Sequence, residues 1–200
     1  MPALKVDANT ILKRKLDEPV SYQIYDCFED YFPKEIEARL RNLNQTFPLA
    51  GLHAQIDCGQ ITKGQWLLYT TVCFTGQVLN GGTEQFFDNC PGLILDVRAV
   101  LKNWAPEELL TTYQTAARSN LEVIEAHSKK TPKAEGADLA DFWKELEAAG
   151  ADFDDDAVSL IDASAYSDDR DSNPLNWFTS LETNVLDFVV NNPTDFKRAS

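Results

Sequence analysis

Apolar residues recur at helical spacing along most of the chain, and strand-like alternation is scarce. Residues 9–17 suggest a short helix capped by Asn9 or Thr10. Tyr22, Tyr25, Phe28, Tyr31 and Phe32 follow at helical intervals and predict an aromatic face that ends at Pro33. Lys34 to Leu43 reads as a charged helix. Residues 46–64 hold Pro48, Gly51, Gly59 and Gly64 and read as loop, with room for a strand or two. Gln65 to Leu79 is largely apolar, and its length favours a central helix over a strand. Gly76 inside it predicts close packing against a neighbour. Asn80-Gly81-Gly82 then breaks it, and Thr83 can cap a short new helix with Glu84 in its first turn.

Residues 92–104 resume as helix, with Leu93, Val97, Val100, Leu101 and Trp104 on one side. Pro106, at a first helical position, opens one long helix through Leu110, Tyr113, Ala117, Leu121 and Ile124 to about His127. Residues 129–137 are the most linker-like stretch. Asp138 to Ala148 predicts a helix through Leu139, Phe142, Trp143 and Leu146. A short helix over 157–166 follows, then an exposed turn at 167–174. Pro174 to Val190 forms a last long helix with Trp177, Leu181, Val185 and Phe188 in register, and Pro193 to Phe196 adds a final turn. The expectation is a single all-α domain over 1–200, of eight or nine helices, with an acidic C-terminal lobe packed on the rest.

The chain has 200 residues, of which 44% are hydrophobic and 25% charged, so it can build an ordinary core without staples. No apolar run approaches ~18 residues, which predicts no membrane span. The start, Met1 to Asp17, lacks the basic, apolar and small-residue regions of a signal peptide, so a cytoplasmic protein is expected. Cys27, Cys58, Cys73 and Cys90 form no C-x-x-C pair and read as reduced thiols, Cys73 as a buried small side chain.

Charge changes the picture more. The net charge is −14. Residues 1–134 hold 16 acids and 14 bases, a net of −2, whereas residues 135–200 hold 16 acids and 4 bases, a net of −12. Phosphate repels such a surface, which argues against direct nucleic-acid or membrane binding and permits a basic protein partner. The densest acids are Asp152, Asp154, Asp155 and Asp156, then Asp162, then Asp168, Asp169 and Asp171. They are either a solvated surface or a surface for such a partner. A calcium loop fails, because Ala157 stands where the turn needs Gly and Ala163 where a Glu should close the site. His53 and His127 are lone histidines, and no local thiolate pair supports zinc, so no metal and no cofactor are expected. Neither a G-x-S-x-G elbow nor a phosphate-binding loop nor a dinucleotide fingerprint is present, and no catalytic residue is assigned.

Residues 80–89, Asn80-Gly81-Gly82-Thr83-Glu84-Gln85-Phe86-Phe87-Asp88-Asn89, resemble the N-G-G-[aromatic]-x-Q-[aromatic]-[aromatic]-x-N signature of the DNA-mimic protein family of the DMP-nineteen type. Thr83 departs from the aromatic residue usual after Gly-Gly. An apolar helix leads into the motif, a long helix (Pro106 to His127) follows it, and Leu186 to Phe196 is similar to the family's closing element of a helix and N/H-P-x-x-F, so the resemblance spans roughly 20–196. It implies an all-helical fold. The family's described member is an acidic homodimer taken to occupy the DNA-binding surface of a transcription factor. Asn80, Gly81, Gly82, Gln85, Phe86 and Asn89 carry no charge, so they read as a structural turn: Asn80 and Asn89 cap helix ends and Gln85 bonds loop backbone. A polar pocket for a small ligand is the rival reading.

Duplex DNA carries about one charge per 1.7 Å of axis, so twelve excess charges match about 20 Å, or roughly six base pairs. The expected function is that of a non-enzymatic acidic protein, a DNA mimic towards a DNA-binding transcription factor. Its acidic surface would comprise Asp152, Asp154, Asp155, Asp156, Asp168, Asp169 and Asp171. The same surface suits an immunity or inhibitor protein for a basic toxin such as a nuclease. An enzymatic or small-molecule domain with a pocket near Asn80, Gln85 and Asn89 is the alternative of another class.

Overall fold

One helix is apolar on nearly every side, and it organises the rest. In this computed structural model the described residues are 20–31, 34, 37, 52, 53, 56, 61–130, 144, 155–166 and 175–196. Among them are seven α-helices and no strand: α1 (Val20–Tyr31), α2 (Lys63–Asn89), α3 (Ile94–Trp104), α4 (Glu107–Ser119), α5 (Leu121–Lys130), α6 (Asp155–Tyr166) and α7 (Trp177–Asn191). Short 3-10 turns cover Pro91–Leu93 and Pro193–Phe196. No helix of the described residues is long and apolar enough to cross a membrane. The expected helices over 9–17, 34–43 and 138–148, the turn at 167–174 and most of the expected loop at 46–64 lie outside the described residues.

Helix α2 buries Trp66, Leu67, Leu68, Tyr69, Val72, Phe74 and Val78, a set that covers all its faces and marks a helix surrounded by others. Helices α1, α3, α5, α6 and α7 all pack against it. Its start is fixed by a capping box: Thr62 Oγ1 accepts from Gln65 N at 3.1 Å, and Gln65 Oε1 accepts from Thr62 N at 3.0 Å. Thr62 Oγ1 donates in turn to the Asp195 carbonyl, which ties the C-terminal turn to this end. The Lys63 ammonium lies over the rings of Trp104 and Phe188, at 5.5 and 5.9 Å from their centroids. Gly76 marks a close approach, since a Cβ there would stand 2.6 Å from the Tyr25 hydroxyl of α1.

The helix kinks at Gly81 and Gly82, and its last turns carry Phe86 and Phe87 inward. They join Phe74, Tyr113 and Phe178 in an aromatic cluster with neighbouring centroids 5.1 to 5.7 Å apart. Tyr113 is fully buried, and its hydroxyl donates to the Ile94 carbonyl at 3.0 Å.

Several expectations need correction. The buried face of α1 is Gln23, Ile24 and Cys27, while Tyr22 is 65% exposed and Tyr25 and Phe28 are half-buried. Tyr25 and Phe28 still pack against the core, Phe28 with its ring centroid 6.1 Å from that of Tyr69, so among the described side chains of the aromatic face only Tyr22 turns outward. The long helix after Pro106 is two helices. Asn120 ends α4, its N–H and amide reaching back to the Ala117 and Ala116 carbonyls. Pro106 itself stands at the N-cap, outside the helix. Leu52, His53 and Ile56, in the stretch read as loop, are helical, as are Lys63 and Gly64. Cys73 is only half-buried. Helix α6, in the acidic third, packs on the other helices, α4 and α2 among them, and buries Ala157, Ile161, Ser164 and Ala165.

Candidate functional site

Three polar features stand out once the core is in place. The first is the kink of α2. Gly82 has φ +89°, in the left-handed region that favours glycine, and a Cβ there would lie 2.9 Å from Asp162 Oδ2. The Asp162 carboxylate, from α6, accepts from Thr83 N at 2.8 Å and from Thr83 Oγ1 at 2.6 Å. It thus satisfies the first N–H of the helical segment that restarts after Gly82. The sequence predicts that Thr83 supplies this cap itself. Thr83 is instead a donor to a carboxylate 79 residues later.

On the other side of the kink, Gln85 Nε2 donates to Gln77 Oε1 at 2.9 Å and to the Gln77 carbonyl at 3.4 Å. Asn89 Nδ2 donates to the same Gln77 Oε1 at 3.0 Å. Gln85 therefore does meet backbone, and its amide lies over Gly81, where a Cβ would overlap it. Asn89 does not cap the helix end with its side chain. That end is closed by the Cys90 N–H on the Phe86 carbonyl. Phe86 is in the core and Asn80 is exposed. The amide side chains here bond one another across the kink.

The second feature is Asp96, wholly buried on α3. Its Oδ1 accepts from Trp66 Nε1 at 2.7 Å and from His53 N at 2.8 Å, while Oδ2 has no hydrogen-bond partner. Burial pushes its pKa up from 3.8 to about 7, against the lowering effect of those bonds. Burial likewise raises the Cys90 thiol to about 11. The Tyr113 hydroxyl is pushed up by burial, with a further contribution from the Asp96 charge. None of these groups opens on the third feature.

That feature is a groove of about 510 Å³ between the start of α4, α6 and the start of α7. Leu160, Leu175 and Trp177 line it together with Glu107, Glu108, Thr111 and Thr112. It shares no residue with the kink motif.

Of the seven acids assigned to a partner surface, Asp152, Asp154, Asp168, Asp169 and Asp171 lie outside the described residues. Asp155 opens α6, and Asp156 beside it is exposed. Two other acids of the C-terminal third have internal roles: Asp162 holds Thr83, and Glu182 is fully buried. Among the described residues, no three His, Cys, Asp or Glu side chains gather as metal ligands would.

Asp162 as a capping partner, Gln77 and the groove were all missed in the sequence. Only Asp96 left a local signal, an acid inside the apolar run Leu93-Ile94-Leu95-Asp96-Val97. The sequence model of the DMP19-like protein family matches residues 59–179, more than half of the chain. That span contains the kink motif, Asp96 and every groove residue. No curated protein and no solved structure matches the chain.

Proposed function

This chain belongs to the DMP19-like protein family, and we propose that it is a cytoplasmic, non-enzymatic acidic protein that occupies the DNA-binding face of a basic protein partner. The observation that carries this reading is the charge asymmetry. Residues 135–200 hold 16 acids against 4 bases, beside a nearly balanced remainder. Apart from Asp162 and Glu182, which have internal roles, these carboxylates attract a face built to bind phosphate, raise its encounter rate, and do so less well in salt. The kink motif supports the same reading by its chemistry. Its amides bond one another, and its carboxylate neighbour Asp162 bonds Thr83, so it offers no charge of its own to a ligand.

Capture from the protein's own cell lysate, eluted with a salt gradient, tests the proposal. The expected result is a basic DNA-binding protein released at moderate salt. Replacing Asp152, Asp154, Asp155, Asp156, Asp168, Asp169 and Asp171 by Asn should abolish capture and leave the circular dichroism of the chain unchanged. A nuclease in the eluate would instead assign the surface to neutralisation of a toxin. Undiminished capture by the Asn variant would overturn the reading.

A further inference from the structure

We infer that the groove between α4, α6 and α7 is a docking site for an amphipathic basic segment of a partner protein, with an apolar anchor seated on Leu160, Leu175 and Trp177. The inference rests on the proposed acidic binding role and gives it a place on the molecule.

The floor and the rim differ in chemistry. Leu160 is 42% exposed, on the face of α6 turned away from the core, and lines the groove. Trp177 and Leu175 continue the apolar floor from the start of α7. The rim presents acceptors. Glu107 and Glu108 are both exposed, and neither pairs with a cation among the described residues. Their carboxylates sit in the first turn of α4, where they offset its N-terminal dipole and leave the rim anionic. The Thr111 and Thr112 hydroxyls donate to the Glu107 and Glu108 carbonyls at 3.0 and 2.8 Å, which leaves their oxygens with lone pairs to accept. Acceptors around an apolar floor match a ligand that brings cationic donors around an apolar side chain.

Charge also decides among occupants. The chain's own apolar stretch at 138–148 carries four acids against the single base Lys144 and would bring like charges to the rim. A second copy docked two-fold on the same face would bring its own Glu107 and Glu108 to this rim. A basic segment from another protein is the occupant that complements the site.

The test uses the full chain and a synthetic helical peptide of about fifteen residues, rich in Arg and Ala with two Leu spaced i, i+4, beside a control with Ser for both Leu. Calorimetry at low salt should show the Leu peptide binding at least about tenfold tighter than the control, the effect of burying one such side chain. Leu160→Asp should remove that difference while its circular dichroism stays native. The double substitution Glu107→Gln, Glu108→Gln should weaken both peptides and flatten their salt dependence. The seven-fold Asp→Asn variant should keep the Leu-to-Ser ratio. Equal affinity for the two peptides, or an unchanged ratio in Leu160→Asp, overturns the groove and leaves the broader charge reading standing. Binding of neither peptide overturns both. A dimer in sedimentation that Leu160→Asp dissociates assigns the floor to a second copy and overturns the inference as stated.

Discussion

The kink of α2 and the groove beside α6 use polar groups in opposite ways. At the kink, Asp162, Thr83, Gln77, Gln85 and Asn89 bond one another. At the groove, Glu107 and Glu108 face solvent over an apolar floor. Both regions lie within the span matched to the family. The difference separates polar groups that build the fold from polar groups that face solvent. Substitutions at the kink should therefore move stability and spare peptide binding, and substitutions at the groove should do the reverse.

The largest effect is expected at Phe86, the motif aromatic fully buried against Phe74 and Phe87. Phe86→Ala should cost about 3–5 kcal/mol, read by chemical denaturation. A loss under about 1 kcal/mol would place the motif outside the core energetics and break the comparison.

Next comes Asp96, which belongs to neither region and sharpens the contrast by its pH dependence. Its pKa is raised from 3.8 to about 7 by burial. Below the lower value both folded and unfolded chains hold the proton. Between the two values the folded chain keeps a proton that the unfolded chain releases, so stability from this group falls as pH rises. Above about 7 the loss is complete. Asp96→Asn keeps an acceptor for Trp66 Nε1 and His53 N and has no proton to lose. Its stability relative to the parent chain should rise by a few kcal/mol between about pH 4 and about pH 7, then level off. A flat difference across that window would show that the carboxyl is ionised in the fold.

Gly82 follows, because an alanine there takes a left-handed φ and meets Asp162. Gly82→Ala should cost about 1–3 kcal/mol. Adding Asp162→Ala removes the clash and leaves the φ strain, so a double-mutant cycle should give a coupling of about 1 kcal/mol. Additive losses would mean that the two residues do not share the kink.

How far these regions could be read from sequence follows from how local they are. The apolar run of α2, its break at Asn80-Gly81-Gly82 and the close approach at Gly76 depend on neighbouring residues, and all three are legible. The C-terminal helix and its 3-10 turn are legible for the same reason. The aromatic face of α1 is legible only in part: Tyr25 and Phe28 pack against the core, whereas Tyr22 is exposed and Ile24 and Cys27, at the same period, are the buried positions that only the packing partners select. The break at Asn120 was hidden because the stripe from Tyr113 through Ala117 to Ile124 keeps helical spacing across it. Asp162 reads as one more acid in an acidic third until α6 is laid against the kink. The groove has no contiguous signal at all: it is assembled from three segments, and Glu107 and Glu108 alone look like ordinary first-turn acids.

The smallest effect on stability belongs to those two glutamates, and it is the one that most directly sets the regions apart. Glu107→Gln with Glu108→Gln removes two carboxylates from the first turn of α4, each worth about 0.3–1 kcal/mol through the helix dipole. They are exposed and pair with no described cation, so no further loss is expected. The pair should therefore cost at most about 2 kcal/mol in thermal unfolding, below the range expected for Phe86→Ala and no more than the centre of that for Gly82→Ala. Peptide binding should weaken several-fold, as expected for charges on the rim of an interface. If instead the pair lowered stability as much as Gly82→Ala and left peptide affinity unchanged, the groove would be as internally committed as the kink, and the two regions would differ only in burial.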